Sequence, residues 1–334
     1  MKFGSCPVAE AEGTILAHSV ALPGGRLRKG RLLTAGDLEK LAAEGHGHVT
    51  VARLEPGDLD ENAAAARLAE ALMVPDAGLA AGRAFTGRVN LTAEGPGVAL
   101  LDVAALNAVN AVNPMITLAT VPPFQQMAAG GMVATIKIIS YAVPEADVER
   151  ACAAGRGAIR FAQPRMKRAA LIVTDIPGGV GDKGRDAIAA RLEALDVELA
   201  TVRRVPHRTQ ALAEAIADCG EELVLILTGS ATSDPDDVAP AALRAAGGRV
   251  ERFGMPVDPG NLLFIGQRGA QSVIGLPGCA RSPALNGADW VLSRVVCGLE
   301  VTGADIAAMG VGGLLKEIPT RPQPRAPRAP STPA

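Results

Sequence analysis

Aromatic residues are scarce, with one Trp, one Tyr and six Phe in 334 residues, and charge of either sign is not in excess, since 33 Lys and Arg meet 35 Asp and Glu. A protein that grips nucleic acid needs a basic face and stacking rings, so both shortages argue against that class of partner. Cys6, Cys152, Cys219, Cys279 and Cys297 are odd in number and far apart, with no Cys-x-x-Cys pair. That spacing argues against a disulfide scaffold and a structural zinc site. His18, His46 and His48 likewise lack metal partners at helical spacing. No apolar run of 18 residues is free of Pro, Asn or charge, and Met1-Lys2-Phe3-Gly4 does not open a signal-peptide pattern. We therefore expect a soluble, reduced, cytoplasmic protein with no membrane partner. What is present is a 48% hydrophobic chain dominated by aliphatics, long enough for two folded units of α/β type.

Texture divides the chain. Residues 1–82 read as a mixed, β-rich module with a helix over Thr34 to Glu44, capped by Thr34, and an Ala-rich helix over Glu61 to Leu72. Residues 83–165 read as a middle β-rich segment packing with that module, with a helix at Val103–Val109 and a strand at Met132–Ile139. From residue 166 to 318, aliphatic strands alternate with amphipathic helices. That pattern predicts a doubly wound, mostly parallel sheet in a three-layer α/β domain. Its strands are expected at 169–174, 197–202, 222–228, 249–253, 262–265 and 272–275. Residues 319–334, with six Pro and three Arg, are expected to form a disordered tail.

In an open parallel sheet ligands bind beyond the carboxyl ends of the strands, which directs attention to three loops. The first, Thr174-Asp175 through Asp182-Lys183-Gly184, is glycine-rich and opens a helix. Such a loop offers backbone N–H groups to an anion, although glycines also simply punctuate turns. It matches neither the Walker pattern nor Gly-x-Gly-x-x-Gly. The second, Thr228 to Val238, combines hydroxyls at Ser230 and Thr232 with carboxylates at Asp234, Asp236 and Asp237. Hydroxyls and amides suit phosphate, and clustered carboxylates suit Mg²⁺; the same residues also serve as ordinary helix caps. The third runs from Gly275 to Pro283, where Pro277-Gly278 lets backbone approach a ligand and Arg281 supplies a fixed charge. Cys279 reads as a small turn residue, since a reactive thiol needs a base beside it and proximity to His207 is not visible in sequence.

These motifs resemble those of the molybdopterin-binding proteins of molybdenum cofactor biosynthesis. Over 169–296 the chain is similar to the small molybdopterin adenylyltransferase-type domain, which is also the third domain of the molybdopterin molybdenumtransferases. Thr174-Asp175 with Asp182-Lys183-Gly184 resembles the family's first loop. Leu223-Val224-Leu225 through Gly229 to Asp237-Val238-Ala239-Pro240 resembles its Thr-Gly-Gly loop, and Gly275-Leu276-Pro277-Gly278 with Ser282 its Leu-Pro-Gly loop. Glu12 to Ala17 and Leu27 to Leu33 are similar to the opening module of the molybdenumtransferases.

The resemblance implies a molybdopterin ligand, or its adenylylated form, held by its phosphate at Thr174, Asp175, Asp182, Lys183, Gly229, Ser230, Thr232, Pro277, Gly278, Cys279, Arg281 and Ser282. It further implies Mg²⁺ and molybdate, with an ATP-derived AMP moiety, as co-reactants. Asp237 takes the catalytic and metal-binding position, with Asp234 and Asp236 beside it, and the expected activity is a transferase acting at metal insertion or at the adenylyl step. A homo-oligomer is also implied. The chain departs from the family at Ser230, at Cys279-Ala280 and at Pro235, and 83–165 lacks the Asp-Asn-Ser-Ala-Met-Asp-Gly-Tyr stretch of the transferases. Those departures favour an alternative: a non-catalytic carrier or regulatory module that delivers cofactor to a partner molybdoenzyme.

Overall fold

The computed structural model of the chain describes residues 1–178 and 183–315. Asp182 and the tail 319–334 therefore lie outside the described residues. Contacts divide the chain into two compact units, one comprising 1–95 and 99–162 and the other 96–98 and 163 onward.

The first unit contains two apolar cores. In the smaller, Lys2–Pro7, His48–Arg53 and Ile15–Leu16 form an antiparallel sheet that buries Leu16, Val49 and Val51 against Leu41 of the helix Ala35–Ala43. Thr34 precedes that helix as expected, and Asp37 closes the cap by accepting from the Thr34 amide (3.2 Å) and hydroxyl (3.0 Å). The larger core packs the helix Glu61–Leu72 through Leu68 and Leu72 against a four-stranded antiparallel sheet that contributes Leu91, Ile136 and Ile138. One helix of this unit, Glu145–Ala154, escapes the sequence reading of the middle segment. It buries only Val148, Ala151 and Cys152, too narrow a stripe to stand out as a helical period.

The second unit is built on strands β1 (Arg168–Asp175), β2 (Glu198–Pro206), β3 (Leu223–Leu227), β4 (Arg249–Phe253), β5 (Phe264–Arg268) and β6 (Gln271–Leu276). Their spatial order is β2-β1-β3-β6-β5-β4. The first four run parallel, while β5 is antiparallel to both β6 and β4. Successive residues of a strand face opposite ways, and here both faces are apolar. Ala169, Leu171 and Val173 of β1 join Leu223, Leu225 and Leu227 of β3 in one core, whereas Ala170, Ile172, Val224 and Ile226 join another. Helices α1 (Arg185–Glu193) and α4 (Gly287–Val296) cover the first face through Ile188, Leu192, Val291 and Leu292. The other face is covered by α2 (Thr209–Ala217) and α3 (Val238–Ala245) through Leu212, Ile216 and Leu243.

Two strands extend beyond their expected bounds. β2 continues to Pro206 because it is the sheet edge and needs only one hydrogen-bonded flank, so Arg203 and Arg204 can point into solvent. β5 continues to Arg268 because Gly269, at φ +58°, turns the chain into an antiparallel return with β6. Gly275 of β6 lies opposite Phe264 in that register, and a Cβ there would stand 1.9 Å from the Phe264 ring. The ring thus lies over bare backbone, which ties β6 closely to its neighbour. Among the described residues no helix is long and apolar enough to cross a membrane.

Candidate functional site

Parallel strands β1, β2, β3 and β6 end on one edge of the sheet, and the three loops singled out in the sequence leave from it. The bonds that join them are made largely by side chains. Thr174, 1% exposed at the end of β1, accepts a hydrogen bond from the Gly229 amide (2.9 Å) and lies 2.8 Å from His207 Nδ1 just beyond β2. A Cβ at Gly229 would sit 2.8 Å from the Thr174 carbonyl oxygen, so the second loop leaves β3 in direct contact with the backbone of β1. Only glycine permits that approach.

Arg281 closes the edge from the third loop. Its guanidinium donates to the Lys183 carbonyl (2.6 Å) in the first loop and to the Thr228 carbonyl (2.7 Å) in the second. Burial pushes its pKa down, yet an arginine remains charged at neutral pH. The third loop is itself held by Arg191 of α1, which sequence reasoning passed over. Arg191 Nε pairs with Asp289, Nη1 donates to the carbonyls of Ala187 and Ala280 (both 3.0 Å), and Nη2 donates to those of Ser282 (2.8 Å) and Ala284 (3.1 Å). All five N–H donors of the guanidinium are thereby used. No sequence motif announces this role, because the carbonyls that receive the bonds belong to the backbone.

The second loop is folded around its own acids. Asp237 caps α3, its Oδ1 accepting from the Val238 amide (2.7 Å) and its Oδ2 from that of Ser233 (3.1 Å). Asp234 Oδ1 accepts from the Asp236 amide (2.8 Å), and the Asp236 carboxylate turns to Arg244 (3.2 Å). Thr228 and Thr232, both buried, share a 3.3 Å hydroxyl contact. Among the described residues the amides of Ser230, Ala231 and Thr232 find no acceptor, and consecutive amides of this kind are suited to an anion. The Gly229 amide expected to meet a ligand instead bonds Thr174.

Asp175, nearly half exposed, lies 3.5 Å from Arg204, and with Pro177 and Pro206 these two residues border an open cavity of about 600 Å³. Lys183 presents an exposed side chain. Pro277 leads into a 3-10 turn over Gly278–Arg281, Cys279 is half-buried within it, and the Ser282 hydroxyl accepts from the Ala284 amide (3.2 Å). Three carboxylates were expected to gather for Mg²⁺ in the second loop. Among the described residues no group of three His, Cys, Asp or Glu side chains is close enough to hold a metal, and Asp236 is drawn away by Arg244. The donor set thus does not fit a protein-built Mg²⁺ cage, and no step is derived through that ion.

Residues 169–294 match a family model described as a probable molybdopterin binding domain, and residues 5–53 match a domain of unknown function. No curated protein matches the chain significantly. Among solved structures, one described as the molybdopterin biosynthesis moea protein from Pyrococcus horikosii aligns at a TM-score of 0.32 and 14% identity, covering 89% of this chain and 75% of that one. A structure of molybdenum cofactor biosynthesis protein B aligns at 0.27 and 14%, covering 39% and 88%. A molybdenum cofactor biosynthesis protein from Pyrococcus furiosus aligns at 0.24 and 12%, covering 90% and 66%. The match to the probable molybdopterin binding domain thus falls within the second unit, over the sheet from which the three loops leave.

Proposed function

We propose that the chain binds molybdopterin through its phosphate at the edge formed by the three loops, and acts at the metal insertion or adenylyl-molybdopterin step of cofactor biosynthesis. The observation that carries this reading is the braced edge itself. Thr174 and Arg281 fix three loops together, and the next amides of the second loop, at Ser230 to Thr232, find no acceptor among the described residues. Preorganised amides stabilise phosphate charge without reorganising at the moment of reaction. Asp237 is the candidate catalytic carboxylate. Its two oxygens hold the Val238 and Ser233 amides, which fixes it at the start of α3, directly after the second loop.

A second reading is a carrier that delivers finished cofactor to a partner enzyme. The commitment of Asp234, Asp236 and Asp237 to the loop's own hydrogen bonds favours it. Titration of the purified protein and of Asp237→Ala with molybdopterin, followed by fluorescence of the oxidised ligand with and without Mg²⁺, separates the two. The enzyme reading expects both proteins to bind and only the wild type to turn over with molybdate or nucleotide. Binding without turnover in either favours the carrier, and no binding overturns both.

A further inference from the structure

His207 belongs to none of the three loops and to no recognised motif, yet it touches the buried side chain on which the second loop rests. The Gly229 amide can only donate, so the Thr174 oxygen is its acceptor. The Thr174 hydroxyl has a single proton, and among the described residues the one group placed to receive it is His207 Nδ1, 2.8 Å away. At 1% exposure Thr174 is shielded from bulk solvent. Where the hydroxyl donates this proton to Nδ1, the imidazole carries its own proton on Nε2.

We infer that His207 is a positioning residue for the candidate site: by holding the Thr174 hydroxyl in one orientation it fixes the Gly229 amide, and with it the path of the second loop. The lever is short. Gly229 lies against the backbone of β1, where a Cβ would meet the Thr174 carbonyl at 2.8 Å and the Ile176 amide at 3.4 Å, and Ser230, Ala231 and Thr232 follow immediately. A Thr174 side chain free to turn about χ1 would carry its oxygen away from the Gly229 amide and let those three drift. The hydrogen-bond half of this inference stands on geometry alone, while its functional half rests on the edge being a phosphate-ester site.

The test uses the full chain, isotope-labelled, and needs no identified ligand. Nitrogen NMR of the wild type reports the His207 tautomer directly, and the Nε2–H form is expected; the Nδ1–H form overturns the inference whatever the variants do. Hydrogen exchange at the Gly229 amide reads the lever. Thr174→Val is expected to speed exchange about tenfold, as for loss of one hydrogen bond. His207→Phe, which keeps bulk without an acceptor, is expected to speed it several-fold. His207→Asn, whose Oδ1 falls near the place of Nδ1, is expected to restore it. Wild-type protection in His207→Phe, or failure of His207→Asn to rescue, overturns the positioning role. Inorganic phosphate, titrated against the shifts of Ser230 to Thr232, then tests the functional half. Weaker binding in His207→Phe alone supports it. Absence of binding in the wild type, with Gly229 behaving as expected, overturns the phosphate-site reading and supports the Thr174–His207 bond by itself.

Discussion

Arg191 offers the severest test of how the third loop is held. Its side chain and that of Asp289 are 10% and 14% exposed, so the pair lies in a medium where breaking one partner costs far more than the pair contributes when intact. Asp289 also accepts from the Asn286 amide (2.8 Å) to cap α4. Replacing Arg191 with Met keeps the apolar stem, strands the Asp289 carboxylate and removes the donor from the buried residue Ala280. A cost of about 3–5 kcal/mol is expected for the uncompensated charge. Arg191→Lys keeps the charge but has three donors on one nitrogen and cannot span carbonyls on both sides of the guanidinium plane. Loss of two or three hydrogen bonds, partly replaced by water at the exposed Ser282 and Ala284, sets its cost at about 1–3 kcal/mol. For a unit of this size each kcal/mol moves the melting temperature by about 2–4 °C. The fluorescence of Trp290, which stands beside Asp289 on α4, follows unfolding of this unit in urea or on heating. Arg191→Met within about 1 kcal/mol of wild type, or Arg191→Lys indistinguishable from it, would refute the claim that this side chain holds the loop.

Three further outcomes follow from the same geometry. Asp237→Ala should lower the urea midpoint of the second unit by an amount equivalent to about 1 kcal/mol, and Asp237→Asn by less, because the amide oxygen still caps α3; equal losses would show that the carboxylate's charge, not its cap, stabilises the helix. Hydrogen bonding to Arg31, at 2.7 Å, holds the Asp37 carboxyl below its usual range, so the unfolded chain binds its proton first. The stability this gives is complete above an ordinary Asp pKa of about 3.9 and is lost as pH falls through the lower folded value. Protection factors over residues 38–41, with the intrinsic pH dependence divided out, should therefore fall on acidification in the wild type and lose that acid limb in Asp37→Asn; an unchanged acid limb in the variant would sink the assignment. Arg281→Ala should weaken ligand binding strongly and independently of salt because it frees two loops, whereas Lys183→Ala should weaken it only a few-fold and chiefly at low salt; isothermal titration at two ionic strengths distinguishes them.

The parallel core of the second unit was legible because its sequence carries the signal twice. Residues 169–173 and Leu223–Leu227 are apolar at every position, as strands covered on both faces must be. The loops were legible for a related reason: Gly, Pro, Asp and small hydroxyl residues cluster where backbone must turn or approach. The edge strand β2 was read less well, although the other edge, β4, was placed at its observed bounds. Arg203 and Arg204 look like a strand end when counted by hydrophobicity, but an edge tolerates them. Long-range pairings were not legible at all. His207 with Thr174, and Arg191 with the carbonyls of a loop some ninety residues later, depend on which strand lies beside which, and no local pattern encodes that.

The distribution of charge at the edge bears on how it recognises a ligand. Arg191 and Arg281 spend their guanidinium groups on backbone carbonyls, and Arg244 on Asp236 and the Pro235 carbonyl. Cations used in this way fix loop geometry, so their energy goes into the shape of the site before any ligand arrives. Recognition of a phosphate then falls to amides and hydroxyls held at fixed positions, which discriminate by geometry more than by charge. The Thr174–Gly229 and Arg281 bonds that join the three loops use neither Ser230 nor Pro235. Thr174, Gly229, Arg191 and Arg281 supply the frame, and Asp237, which serves it as a helix cap, is the carboxylate on which the proposed binding and the proposed chemistry can be told apart.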